Sequence, residues 1–129
     1  MKNTVEILEE HGIRASVQRI RIADEVLYTE DHPSADIVWQ RAKKLMPVLS
    51  RATVYNTLNL FVKKGLLREL ILAEGKIVFD PKMERHHHFI NEKTGRIMDI
   101  PWEAVEVRPK QLKGLRVSEY QVVLRGSEV

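Results

Sequence analysis

The sequence predicts an α+β chain in which an N-terminal winged helix-turn-helix precedes a small α/β unit. Three observations predict it: two short serine-capped helices in succession, at Ser34 and Ser50; a proline-free stretch rich in Leu, Ile and Val over residues 66–80; and a change of texture from Pro81 onward. The 129 residues suffice for one compact core or for two small lobes. The boundaries implied are a first domain over residues 1–80, a hinge near 80–85 and a second domain over 86–129.

Residues 4–11 (TVEILEEH) make a short amphipathic helix closed by Gly12. Ser16 then offers an N-cap oxygen to a second helix reaching about Thr29, with Val17, Ile20, Ala23 and Leu27 as its apolar stripe. Beyond His32-Pro33, Ser34 caps a third helix with Val38, Ala42, Leu45 and Met46 on one side, until Pro47 stops it. Ser50 caps a fourth, RATVYNTLNLFVKK, which Gly65 ends. Val54, Leu58 and Phe61 share its core face, while Arg51, Tyr55, Asn56 and Asn59 point elsewhere. Helices three and four are thus expected three or four residues apart, and in a helix-turn-helix the second presents polar and aromatic side chains to the major groove. Residues 66–80 follow as the wing, two strands about an Ala73-Glu74-Gly75 turn. After the PKMER link come a hairpin, HHHFINEKTGRIMDI, turning at Lys93-Thr94-Gly95, a short helical or irregular piece, WEAVEVRPKQL, and a last strand near LRVSEYQVVLRG.

Composition narrows the function classes. There is no cysteine, so disulfides, thiolate zinc sites and cysteine switches are excluded, and any metal must be held by nitrogen and oxygen. No apolar run approaches the roughly 20 residues of a membrane span, and MKNTVEILEE lacks the basic-then-apolar order of a signal peptide. A cytoplasmic protein without a membrane partner is the expectation. The net charge of +3 suits an anionic partner, yet residues 1–75 carry 11 Lys+Arg against 10 Asp+Glu and residues 76–129 carry 10 against 8. Any basic face must therefore be assembled by folding.

Histidine and aspartate supply the chemical signal. His86 and His88 stand two apart in a strand and so face the same way. A hairpin tip at Lys93-Thr94 sets His88 opposite Asp99, within reach of one ion, unless a bulge at Gly95 shifts the register. Asp80, six residues before His86, and His32, far back at the third helix, are further candidates that local geometry does not place. Taken singly, the HHH run is a solvated patch and each aspartate a turn carboxylate. In combination they suggest a borderline divalent ion such as Fe²⁺, Mn²⁺, Zn²⁺, Co²⁺ or Ni²⁺, and three imidazoles with two carboxylates favour iron, manganese or zinc.

From about Gly12 to Gly126 the chain resembles the ferric uptake regulator (Fur) family. The matching strings are GIRASVQR, HPSAD, SRATVYNTLNLFVKKGLL, FD at Phe79-Asp80, HHHF, and MDI at Met98 to Ile100. The resemblance implies a homodimeric repressor on a palindromic double-stranded DNA operator. It implies one regulatory divalent metal per subunit, Fe²⁺ or Mn²⁺ with Zn²⁺ as a third option, held by His32, Asp80, His86, His88 and Asp99, with no ligand role for His87. It also implies that Tyr55 and Asn56 approach bases, that Arg14 reaches toward the minor groove, and that Gln18 and Arg19 belong to the signature before the helix; Arg51 and Thr53 complete the candidate DNA contacts. Most members hold a structural zinc with two CxxC pairs. Here Asn91 and Thr94 stand in the places of the first pair and no cysteine stands for the second, so no structural four-cysteine zinc is expected and dimer stability must come from strand pairing and apolar packing.

Cysteine-free members of two kinds are similar. The peroxide regulators (PerR-like) have an aspartate at the Asp99 position and undergo iron-catalysed oxidation of ligand histidines, which here are His32 and His86. The iron response regulators (Irr-like) share HHHF and the DIP of Asp99 to Pro101 and respond to haem or iron, but their N-terminal Cys-Pro motif is missing here. The peroxide-type reading is preferred, with an ion gripped from both lobes setting the angle between them. A small non-haem metalloenzyme shares the donor types, but a winged helix leaves 129 residues little material for a substrate cleft, so no enzyme is expected. A metal-independent winged helix with surface histidines is the remaining reading.

Overall fold

In the computed structural model, which describes residues 2–72 and 75–129, four α-helices open the chain. Each is started by a side chain that accepts from an otherwise orphaned backbone N–H. α1 (Thr4–Glu10) is capped by Asn3, whose Oδ1 accepts from Glu6 at 2.9 Å. Ser16, Ser34 and Ser50 do the same for α2 (Val17–Val26), α3 (Ala35–Ala42) and α4 (Arg51–Lys63), accepting from Arg19, Ile37 and Thr53. At the far end of α4, Gly65, at φ +79°, and Leu66 donate to the Val62 and Phe61 carbonyls at 3.1 and 2.9 Å. A left-handed glycine permits this double closure.

The chain divides into two units, Met1–Met83 and Glu84–Val129. In the first, the helical stripes meet in one core: Leu8, Ile22, Ala23, Val26, Val38, Ala42, Val54, Leu58 and Phe61 are buried together with Leu49, Leu66, Leu67 and Phe79. Burying a Leu or Phe stabilises by about 1.5–3 kcal/mol, so this shared face, rather than intrinsic propensity, holds helices of such length. β1 (Arg68–Ile71) and β2 (Ile77–Asp80) pair antiparallel, Leu70 opposite Val78. Phe79 N–H donates to the Pro33 carbonyl at 2.9 Å and docks the hairpin at the start of α3. Ala73 and Glu74, where the sequence places the wing's turn with Gly75, lie outside the described residues.

Two helix ends depart from the sequence reading. α2 stops at Val26 instead of Thr29, and Val17 is 71 % exposed, because α2 packs through its second half, Ile22, Ala23 and Val26. α3 stops at Ala42, so the connection to α4 is Lys43 to Ser50, longer than three or four residues. Leu45 and Met46 N–H groups both turn onto the Ala42 carbonyl, leaving Leu45 71 % exposed. Pro47 bars Met46 from continuing the helix, and the Trp39 indole N–H reaches across to the Leu49 carbonyl at 2.9 Å.

The second unit is a three-stranded sheet in the order β4-β3-β5. The central β3 (His86–Asn91) runs antiparallel to β4 (Ile97–Pro101) and parallel to β5 (Val123–Gly126). Asn91 Oδ1 accepts from the Lys93 and Thr94 N–H groups at 2.9 and 3.3 Å, and Thr94 Oγ1 accepts from Arg96 at 3.1 Å. The two positions that the resemblance assigns to a cysteine pair thus build a side-chain-bonded turn, and the register runs unshifted with His88 opposite Asp99. The helical part of this unit is a single 3-10 turn, Trp102–Ala104, and of the expected last strand Val123–Gly126 forms β5, with the Val122 carbonyl before it accepting from His88 N–H at 3.1 Å. No helix among the described residues is long and apolar enough to cross a membrane.

Candidate metal centre and nucleic-acid face

In the first unit, His32 Nε2 lies 3.3 Å from Asp80 Oδ2, with both side chains buried. Strand β2 delivers Asp80, whose Oδ1 accepts from Lys82 N–H at 2.9 Å, which turns Oδ2 toward the imidazole. His32 has φ +52° and is the only non-glycine residue at positive φ among the described residues. Its predecessor, Asp31, is gripped by both terminal nitrogens of the Arg41 guanidinium and accepts from Thr29 Oγ1 at 2.5 Å. The Arg41 hydrogen bond is the main cause that holds the Asp31 carboxyl below its ordinary 3.8, with burial opposing it, and the same bond raises the Arg41 guanidinium.

In the second unit, β3 presents His86 and His88 on one face, ring centroids 4.6 Å apart. Asp99 Oδ1, on β4, is 3.4 Å from His86 Nε2 and 3.7 Å from His88 Nε2. His86 Nδ1 donates to the Glu84 carbonyl at 2.6 Å. A carbonyl only accepts, so the ring's proton sits on Nδ1 and a neutral ring keeps its lone pair on Nε2, the atom facing Asp99. A lone pair facing a carboxylate oxygen repels it unless a proton or a metal cation lies between them, so the donor chemistry fits a divalent ion. His87 alternates to the opposite face, wholly buried, with Nε2 donating to the Trp102 carbonyl at 3.1 Å and its ring stacked on Trp102 at 4.6 Å.

Tyr55, Asn56 and Asn59 project exposed from α4, away from its buried Val54, Leu58 and Phe61. Arg14 and Gln18 are exposed at the entry to α2, and the Arg19 guanidinium donates to the Arg14 carbonyl at 3.1 Å. Arg51 pairs with Asp36 at 3.3 Å. Thr53 accepts the Ser50 hydroxyl at 2.8 Å and so serves the cap of α4. Sequence reasoning missed Arg41, the Lys82 and Glu84 backbone groups, and Trp39, whose ring lies under Lys43 and Arg51. The i,i+4 spacing of Trp39 and Lys43 could have flagged that pair; Arg51 reaches it from another helix.

The fold and donor set define a two-unit winged-helix chain with buried clusters of histidine and aspartate. The sequence model of the ferric uptake regulator family matches residues 10–125, and the chain belongs to that family. The peroxide operon regulator of Bacillus subtilis (strain 168) is 32 % identical over 98 % of this chain and 89 % of its own length. Among solved structures, a zinc-bound manganese uptake regulator matches with a TM-score of 0.74 at 26 % identity, over 99 % of this chain and 100 % of that one. The Campylobacter jejuni peroxide stress regulator matches with a TM-score of 0.66 at 25 % identity, over 100 % and 98 %.

Proposed function

We propose that this family member is a cytoplasmic, metal-dependent, DNA-binding repressor of the peroxide-sensing type, acting as a homodimer on a palindromic operator. The observation that carries the reading is the orientation of the donors: in each unit a buried imidazole Nε2 faces a carboxylate oxygen, that of buried Asp80 in the first and of partly buried Asp99 in the second. The peroxide regulators among its relatives support the nature of the signal.

On this reading His32, Asp80, His86, His88 and Asp99 hold one ion per subunit. Nitrogen and oxygen donors suit Fe²⁺ or Mn²⁺ and also accept Zn²⁺. Residues 1–80 are the DNA-binding domain, 80–85 the hinge, and 86–129 the dimerisation and metal-binding domain. An ion shared by both domains favours one arrangement of them, and two recognition helices must match successive major grooves, so that bias becomes affinity. Shifting such an arrangement from 1:99 to 99:1 takes about 5.5 kcal/mol of differential binding. Tyr55 and Asn56 read bases and Arg14 the minor groove; Gln18, Arg19 and Arg51 support them, and Thr53 acts through the cap of α4. Fe²⁺, when bound, supplies the reductive activation of peroxide that no side chain here provides. His32 and His86 are the imidazoles expected to take up oxygen, and a ring so modified is lost as a donor.

Metal-free protein reloaded with Mn²⁺, Fe²⁺ or Zn²⁺ and offered duplexes selected from a random pool tests this. Retention is expected only with metal, and His86→Ala is expected to lose that dependence with its fold, read by circular dichroism, intact. Brief peroxide is expected to release DNA from the Fe²⁺ form alone, with added oxygen on the His32 or His86 peptide by mass spectrometry. Unchanged duplex affinity of His86→Ala at saturating Mn²⁺ would discard the reading, and iron dependence without peroxide sensitivity would favour an iron-responsive regulator. No substrate turnover is expected.

A further inference from the structure

We propose that Lys43 and Arg51, gathered by the ring of Trp39, form a clamp for one backbone phosphate of DNA at the junction of α3 and α4. The proposal rests on the DNA-binding reading and extends it to Lys43 and Trp39, which no motif marks. Lys43 Nζ lies 3.9 Å from the centre of the Trp39 ring and the Arg51 guanidinium carbon 4.6 Å from it. Two cations, one just past the end of α3 and one at the start of α4, are thus collected by one aromatic ring, whose negative quadrupole attracts both. The indole is itself fixed, since its N–H donates to the Leu49 carbonyl at 2.9 Å, across the α3–α4 connection.

Charge and position select the ligand. Arg51 is the first residue of α4, where the helix's free N–H groups add positive potential. It precedes Tyr55 by one turn, so the two share a side of the helix, and a phosphate held at Arg51 lies on the backbone of the duplex that Tyr55 and Asn56 enter. The present partner of Arg51 is Asp36, at 3.3 Å, with side chains 59 % and 50 % exposed. Such a half-exposed pair is held weakly, so a phosphate can compete with the carboxylate for the guanidinium. Asp36 is then a competitor that keeps the guanidinium in place until DNA arrives.

The test uses the Mn²⁺-loaded full chain, with a random-sequence duplex and a selected one, across a range of salt concentrations. Lys43→Ala and Arg51→Ala are each expected to make the slope of log affinity against log salt shallower by about 0.9 for each chain bound. They should weaken both duplexes by the same factor, whereas Asn56→Ala lowers the preference for the selected one. Asp36→Asn should tighten both. Trp39→Leu should reproduce the slope change, while Trp39→Phe, which keeps a ring but not the indole N–H, keeps the slope and lowers only the melting temperature. Equal slopes for Trp39→Leu and Trp39→Phe would overturn the role of the ring. Wild-type slopes in both Lys43→Ala and Arg51→Ala, with wild-type binding intact, would overturn the clamp alone. A metal-loaded wild type that binds neither duplex would overturn the DNA-binding reading and the clamp with it.

Discussion

His32 is held where its own backbone does not want to be. At φ +52° an L-residue gives up roughly 1–2 kcal/mol, and such strain persists only where neighbours over-determine it. Here Arg41 grips Asp31 on one side, and on the other the Pro33 carbonyl is bonded to Phe79. Because the Arg41 hydrogen bond is what chiefly lowers the Asp31 carboxyl, its contribution to stability is complete above the ordinary 3.8 and is lost as pH falls through the lowered value. The pair is too exposed for that contribution to be large. Its weight falls on geometry: if His32 holds the ion as proposed, Arg41→Ala is predicted to weaken Mn²⁺ binding, by no more than the about 10–100-fold that follows loss of a direct partner of a metal ligand. Titration calorimetry would read this, and wild-type affinity would show that His32 stands unaided. His87 makes the opposite case: His87→Phe keeps a ring against Trp102 but loses the bond to its carbonyl. It is predicted to cost about 1–3 kcal/mol in urea unfolding while Mn²⁺ affinity stays at the wild-type value.

Among the elements, α4 shows how local cues fix both ends of a helix. No atom lies within 4 Å of a Cβ built on Gly65, so Gly65→Ala meets only backbone strain. It is predicted to lower stability by about 1–2 kcal/mol, and Ser50→Ala at the other end by about 1 kcal/mol, both measurable by denaturant titration. Because such caps act over three or four residues, the sequence displayed them. The facing of His88 and Asp99 was legible for a similar reason, since Asn91 and Gly95 fix a tight turn and the turn fixes the register. The approach of Asp80 to His32 was not, because it depends on the β1–β2 hairpin docking against Pro33, dozens of residues away. The end of α3 was misread for the same reason: the Trp39 bond to Leu49 is tertiary, and an apolar stripe continuing through Leu45 carries no hint of it. Nor does a sequence reveal that β5 pairs parallel with β3, since a strand reached through a long irregular connection has no turn to set its partner.

For the whole molecule, the decisive quantity is how many ions one chain takes up. If the donors of both units serve one ion, calorimetry is predicted to give one Mn²⁺ per chain, with His32→Ala and His88→Ala each weakening that same event. Mn²⁺ at about 100 times its Kd should then raise stability by roughly 2.7 kcal/mol, read as a higher melting temperature. Two separable binding events, each lost in only one variant, would divide the centre in two. The placement of β5 carries its own consequence. It follows every other described element in sequence, yet it flanks β3, the strand bearing His86 and His88. A ribosome therefore delivers β3 well before the strand that pairs with its second half from His88 onward, with the whole Trp102 to Val122 passage still to be synthesised. Since a unit folds as a unit, a nascent chain must be translated past Gly126 before the sheet that carries His86 and His88 is complete.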